Sequence, residues 1–107
     1  MNTTKIYNLP CFDSRKSFYG KAKVIETENG EKLLQSYNTI VCKVTAAGDF
    51  VRMWSGESMT TMRHIDSFLL FVGITGEVGG VHWWRKQPVN EISILLNNAI
   101  IENARRA

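Results

Sequence analysis

The chain has 107 residues, 44% of them hydrophobic, and carries a net charge of +3 with an isoelectric point near 9.0. That length suits one domain, residues 1–107, whose core needs neither disulfides nor metal, and the composition excludes a chain disordered throughout. The mild basic charge excludes an acidic mimic of DNA and leaves nucleic acid or an acidic protein surface as partners.

Lys5 to Leu9 reads as a first strand closed by Pro10. Cys11 to Ser17 is turn-like, and Gly20 to Thr27 suits a second strand. Asn29-Gly30 then separates it from a return strand, Lys32 to Tyr37, as in a two-residue hairpin in which both central residues take positive φ. Ile40 to Thr45 alternates as a half-buried strand, Ala46 to Asp49 is a turn, and Phe50 to Trp54 is a further strand.

Beyond Ser55-Gly56 the period changes to that of a helix. Ser58, Thr60 and Thr61 are competent N-caps. Met62, Ile65, Leu69 and Val72, widened by Phe68, form an apolar stripe, so a helix is predicted over about 59–72. Gly73 at C′ would place Ile74 at C″ against Leu69, as a Schellman ending requires. Gly76, Gly79 and Gly80 loosen the next stretch, and Val81 to Lys86 fits either a short helix or an extended arm. Pro88 opens a second amphipathic helix over about 89–104, with Ile92, Leu95, Leu96, Ala99 and Ile100 on one face. The class is α+β: a twisted antiparallel sheet of about four to five strands in the N-terminal half, with helices after it.

A two-residue Asn29-Gly30 loop pairs Ile25 with Leu34, Val24 with Gln35 and Ala22 with Tyr37. Ala22, Val24, Leu33 and Tyr37 then face the core, joined by Ile40, Cys42, Val44, Val51 and Met53. The opposite face carries Lys21, Lys23, Ile25, Lys32, Leu34, Lys43, Phe50, Arg52 and Trp54. Cations interleaved with rings are the composition of a surface that follows phosphates and stacks the bases of single-stranded nucleic acid or RNA. A solvated outer face, or one covered by later segments, has the same composition.

Trp83-Trp84-Arg85-Lys86 is a second candidate, a partner-binding patch. Adjacent tryptophans cannot share one face of a regular element, and Trp and Arg dominate binding hot spots. Packing of both rings in the core is the competing reading. No catalytic set emerges. His64 and Asp66 are two positions apart on a helix and do not face each other, so His64 reads as a surface or cap histidine. His82 and His64 lack Cys or His neighbours at ligand spacing, Cys42 reads as a buried apolar residue, and no metal or cofactor is expected. Gly73 to Gly80 lacks the Gly-Lys-Ser/Thr ending of a phosphate loop. No apolar run reaches the ~18 residues of a membrane span, and Met1 to Lys5 is not the start of a signal peptide, so a cytoplasmic protein with no membrane partner is expected.

Three segments carry a resemblance: Ser17-Phe18-Tyr19-Gly20-Lys21-Ala22, Leu34-Gln35-Ser36-Tyr37-Asn38-Thr39, and Trp54-Ser55-Gly56 leading to Thr60-Thr61-Met62-Arg63-His64-Ile65-Asp66-Ser67-Phe68-Leu69. Across residues 11–72 the chain resembles a domain-of-unknown-function family of small proteins from bacteria, phages and plasmids. The resemblance implies a mobile-element setting and transfers no activity. It points to a non-enzymatic interaction protein whose partner is a host or phage protein, such as a nuclease complex of a bacterial defence like CRISPR that it inhibits. A nucleic-acid-binding accessory protein is the alternative, and a hydrolase with a site assembled from distant residues is the remaining one. A homodimer is compatible with all three.

Overall fold

Two hairpins of one design set the register of the sheet. The computed structural model describes residues 3–11, 18, 20–76 and 78–93. In it β1 (Thr3–Asn8), β2 (Ala22–Thr27), β3 (Lys32–Ser36), β4 (Thr39–Val44) and β5 (Phe50–Arg52) form a five-stranded antiparallel sheet in sequence order. The turn after β2 closes with Thr27 N–H to the Glu31 carbonyl at 3.0 Å and Gly30 N–H to the Thr27 carbonyl at 3.1 Å, while Glu31 N–H reaches Thr27 Oγ1 at 3.2 Å. The turn after β4 repeats this: Thr45 N–H to Asp49 O and Gly48 N–H to Thr45 O, both at 2.9 Å, with Asp49 N–H to Thr45 Oγ1 at 3.1 Å. Each is a Thr-x-x-Gly-acid loop, and the glycines take φ of 86° and 93°. This is the three-residue hairpin loop in which a left-handed glycine forms a bulge.

The first hairpin therefore differs from the sequence reading by one residue. Asn29 does not take positive φ, and the loop is Glu28-Asn29-Gly30. Val24 pairs with Leu34 and Ile25 with Leu33. A slip of one residue turns every β3 side chain over. The row Tyr7–Val24–Leu34–Cys42–Arg52 lies on one face, and Ile6–Ile25–Leu33–Lys43–Val51 on the other. Leu34 and Arg52 are thus on the core side, and Leu33 and Val51 on the outer side.

After Ser58 the chain enters α1 (Met59–Phe71). Ser58 Oγ accepts the Thr61 N–H at 3.1 Å, which satisfies one of the open donors of the first turn. The end is a Schellman motif, as the sequence implies: Gly73 (φ 80°) donates to Leu70 O at 3.1 Å, and Ile74 N–H to Leu69 O at 2.9 Å. Met62, Ile65, Phe68 and Leu69 are buried against Ala22, Val24, Leu34, Val41 and Cys42, so the apolar stripe of the helix meets the apolar face of the sheet. Each fully buried Ile or Phe of this layer contributes about 2 kcal/mol.

A second helix, α2 (Gly80–Lys86), packs its Trp83 and Trp84 into the same core, with Phe50 5.1 Å and 6.4 Å from the two rings. Of the helix expected over 89–104, residues 89–93 instead form a turn bridged to β5, with Asn90 at φ 63°. Val89 and Ile92 bridge to Arg52 and Val51, and the Asn90 and Ser93 N–H groups donate to the Arg52 and Phe50 carbonyls at 2.6 and 2.9 Å. The unpaired edge of β5 offers those acceptors, and they outweigh the helical pattern. The rest of that predicted helix, 94–104, lies outside the described residues. No helix among the described residues is long and apolar enough to cross a membrane.

Candidate binding groove

One face of α1 is left for another purpose. Met59, Met62, Arg63, Asp66, Leu69 and Leu70 follow each other at helical spacing along its flank. Met59 is 82% exposed and Leu70 56%. Facing this flank are Ile74 to Gly76 and Val78 to Arg85. Two cavities lie between them. The first, about 370 Å³, is lined by Asp66, Leu69, Leu70, Ile74, Thr75, Val78 and the glycines Gly76, Gly79 and Gly80. The second, about 540 Å³, is lined by Glu57, Ser58, Met59, Met62, Arg63, Asp66, Val81 and Arg85. Asp66 lines both, so the two cavities lie one on either side of the point where the facing segment meets α1, and together they are called the groove.

Local sequence builds the far wall. The Gly80 N–H, the first of α2, donates to Asp66 Oδ1 at 3.0 Å. Gly79 caps α2 with φ of 93° and no side chain of its own, so a carboxylate from α1 takes the place of the missing N-cap group. A Cβ on Gly79 would stand 3.0 Å from that same oxygen. The close approach of this loop to α1 therefore requires glycine twice over, through φ and through space.

The groove is apolar along its floor, with charge at fixed points. At one end Arg85 Nε makes a forked pair with Glu57, 2.8 and 3.0 Å to the two carboxylate oxygens, so the two charges offset each other. The Arg63 guanidinium leans over the Phe18 ring, 5.0 Å from its centre, with Nη2 3.8 Å from the half-buried Cys11 Sγ. In the middle Asp66 makes no ion pair among the described residues. The residue is exposed, yet partial desolvation of its carboxyl raises its pKa, and the Gly80 N–H offsets part of that rise.

The residues nominated from sequence fall elsewhere. Trp83 and Trp84 are 7% and 0% exposed, so neither ring is a surface hot spot. Trp84 Nε1 donates to Gly56 O at 2.7 Å. Arg85 is exposed and lines the groove, and Lys86 is exposed beyond it. The basic sheet set is split by the register. Lys23 and Lys43 lie on the outer face, where Lys43 Nζ pairs with Glu31 at 3.0 Å. Lys21 precedes β2, its Nζ 5.6 Å from the Tyr37 ring centre. Lys32 pairs with Glu26 and Val44 and so lies on the helix side of the sheet. Arg52 and Phe50 are buried on that side, and half-buried Trp54 lies over Gly56, where a Cβ would meet its ring at 2.5 Å. The outer face carries the aliphatic row Ile6, Ile25, Leu33 and Val51 in place of stacking rings.

His64 is a core residue, not a surface or cap histidine. It is 1% exposed, with Phe18 edge-on at 4.6 Å, and its Nδ1 lies 2.7 Å from Ser36 Oγ. Ser36 Oγ is also 3.1 Å from Thr61 Oγ1. Burial, then the Arg63 and Lys21 charges, push the imidazole down to about 4, so it is neutral at pH 7. A serine beside a histidine is the start of an acyl-transfer site, but this pair is buried away from the lining of both cavities, and among the described residues no carboxylate bonds to the ring. It satisfies buried polar groups between β3 and α1. Among the described residues no group of three or more His, Cys, Asp or Glu is placed to hold a metal ion.

Sequence reading missed both the groove and this cluster. Ser36 and His64 are 28 positions apart, and no local period links them. The groove had one visible signal: Met59, Arg63, Asp66 and Leu70 recur at helical spacing beside the core stripe, followed by a glycine-rich return.

No curated protein and no solved structure matches the chain. The model of a family of unknown function, DUF8033, matches residues 7–83. The matched span holds most of β1, the rest of the sheet, α1 and the wall of the groove as far as Trp83. The chain belongs to the DUF8033 family.

Proposed function

We propose that the protein acts by binding, without chemistry of its own, and that it holds a segment of a protein partner in the groove along α1. The observation that carries this reading is a pair of cavities between α1 and the segment facing it, with the exposed apolar side chains Met59 and Leu70 lining one each. Helix-lined apolar grooves with few fixed charges accept amphipathic segments of other proteins. The buried Ser36–His64 pair and the buried Trp83 and Trp84 offer no competing surface. The mobile-element setting implied by the sequence resemblance makes a host protein, such as a nuclease complex of a bacterial defence, the expected source of that segment.

The test is capture from host lysate by the tagged full chain, by Leu70→Glu and by Lys23→Glu. Leu70 is exposed and its replacement leaves the core intact. A stoichiometric partner retained by the wild type and by Lys23→Glu, and lost by Leu70→Glu, is the expected result. A partner retained by Leu70→Glu and lost by Lys23→Glu would move the site to the outer sheet face.

A further inference from the structure

We infer that the groove selects a basic side chain: its occupant is a protein segment in which a Lys or Arg, flanked by aliphatic residues, pairs with Asp66. The inference rests on the groove reading above and names the chemistry of what fills it. Asp66 lines both cavities, with Leu69, Leu70, Ile74 and Val78 in one and Met59, Met62 and Val81 in the other. Its Oδ1 is held by the Gly80 N–H, which fixes the carboxylate in place. The other charges that line the groove already have local partners: Arg85 sits on Glu57, and Arg63 on Phe18 and Cys11. An exposed carboxylate without a cation among the described residues, held in place by a backbone N–H and set between apolar side chains, gains most from a donor delivered with apolar neighbours that exclude water around the pair. A nucleic acid, whose phosphates this carboxylate repels, does not fit the same place.

A displayed random-peptide library panned on the full chain tests this. Peptides enriched in Lys or Arg beside Leu, Ile or Met are the expected product. Their affinity is expected to fall by about tenfold or more in Asp66→Asn, the size of one charge-assisted hydrogen bond. The amide oxygen of that variant can still accept the Gly80 N–H, and an unchanged melting temperature separates lost pairing from lost fold. Binding is also expected to disappear in Leu70→Glu. Peptides that need Leu70 yet show no basic enrichment, or bind Asp66→Asn equally well, would overturn the basic-residue inference and leave the groove standing. Peptides indifferent to Leu70→Glu, or no binders at all, would overturn both. Self-association of the wild type that Leu70→Glu abolishes would put a second copy in the groove and overturn the assignment of a foreign basic segment.

Discussion

The guanidinium of Arg52 lies 4.4 Å from the centre of the Trp84 ring and donates through Nη1 to the Trp84 carbonyl at 2.8 Å. The same group reaches the carbonyls of Trp54 and Ser55, both at 2.8 Å, of Gln87 at 3.3 Å and of Gly56 at 3.4 Å. One buried cation thus ties β5 to the loop before α1 and to the end of α2, and the loop and α2 both line the second cavity. The planar fork is what allows it. A lysine has three donors on a point charge and cannot span these carbonyls. Arg52→Lys is expected to cost about 3 kcal/mol of stability, measured by urea unfolding. A loss below about 0.5 kcal/mol, the range of surface changes, would show that the clip is not holding these segments.

The two hairpin glycines separate conformational strain from steric strain. Gly48 has φ of 93° and nothing within 4 Å of an added Cβ, so Gly48→Ala reports the backbone cost alone. That cost is about 1 kcal/mol. Gly30→Ala adds a Cβ 3.3 Å from that of Ala46 and is expected to cost more. Gly56, with no positive φ, reports the opposite case: its Cβ would enter the Trp54 ring, and Gly56→Ala is expected to displace that ring and shift the tryptophan emission. Equal stability losses for Gly48→Ala and Gly30→Ala would contradict the contact between the two hairpin tips.

What the sequence made legible was local. Ser58, Gly73 and Ile74 act through groups a few residues away, and the α1 caps follow from them. The hairpin at Asn29-Gly30 was also legible, but not its loop length. Asn-Gly serves a two-residue turn and a glycine bulge equally, and the Thr-x-x-Gly-acid repeat at Thr27 and Thr45 is what distinguishes them. One residue of register decides the faces, which is why Arg52, Phe50 and Leu34 read as outer residues in the sequence and are core residues in the fold. Trp83 and Trp84 could not be placed from sequence because Arg52 and Phe50, on a strand thirty-odd positions away, fill the space that receives them. The groove depends on Gly79 and Gly80 meeting Asp66, a contact fourteen positions apart with no period to reveal it.

His64 gives the protein an acid-sensitive core. Its imidazole is held at about 4 against an ordinary 6.5, so the folded state resists the proton that the unfolded chain accepts. Above pH 6.5 both states are neutral and the contribution is complete; stability is lost as pH falls from 6.5 toward 4. The loss is about 2 to 3 kcal/mol over that window, at 1.36 kcal/mol per unit. Asp66, with its raised pKa, works in the opposite sense as it takes up its own proton. His64→Gln should flatten the dependence between pH 6.5 and 4, as read by urea midpoints across that range. An unchanged slope in the variant would place the acid sensitivity elsewhere.

The α1 groove is tested most directly by site-specific photocrosslinking in the host. Benzoylphenylalanine is placed at Leu70, in the groove, and in a separate variant at Ile6, which is 60% exposed on the outer face of the sheet. The expected result is a discrete crosslinked protein from position 70, competed by the selected basic peptides, and none from position 6. A crosslink from position 6 without one from position 70 would contradict the assignment of the groove as the binding site.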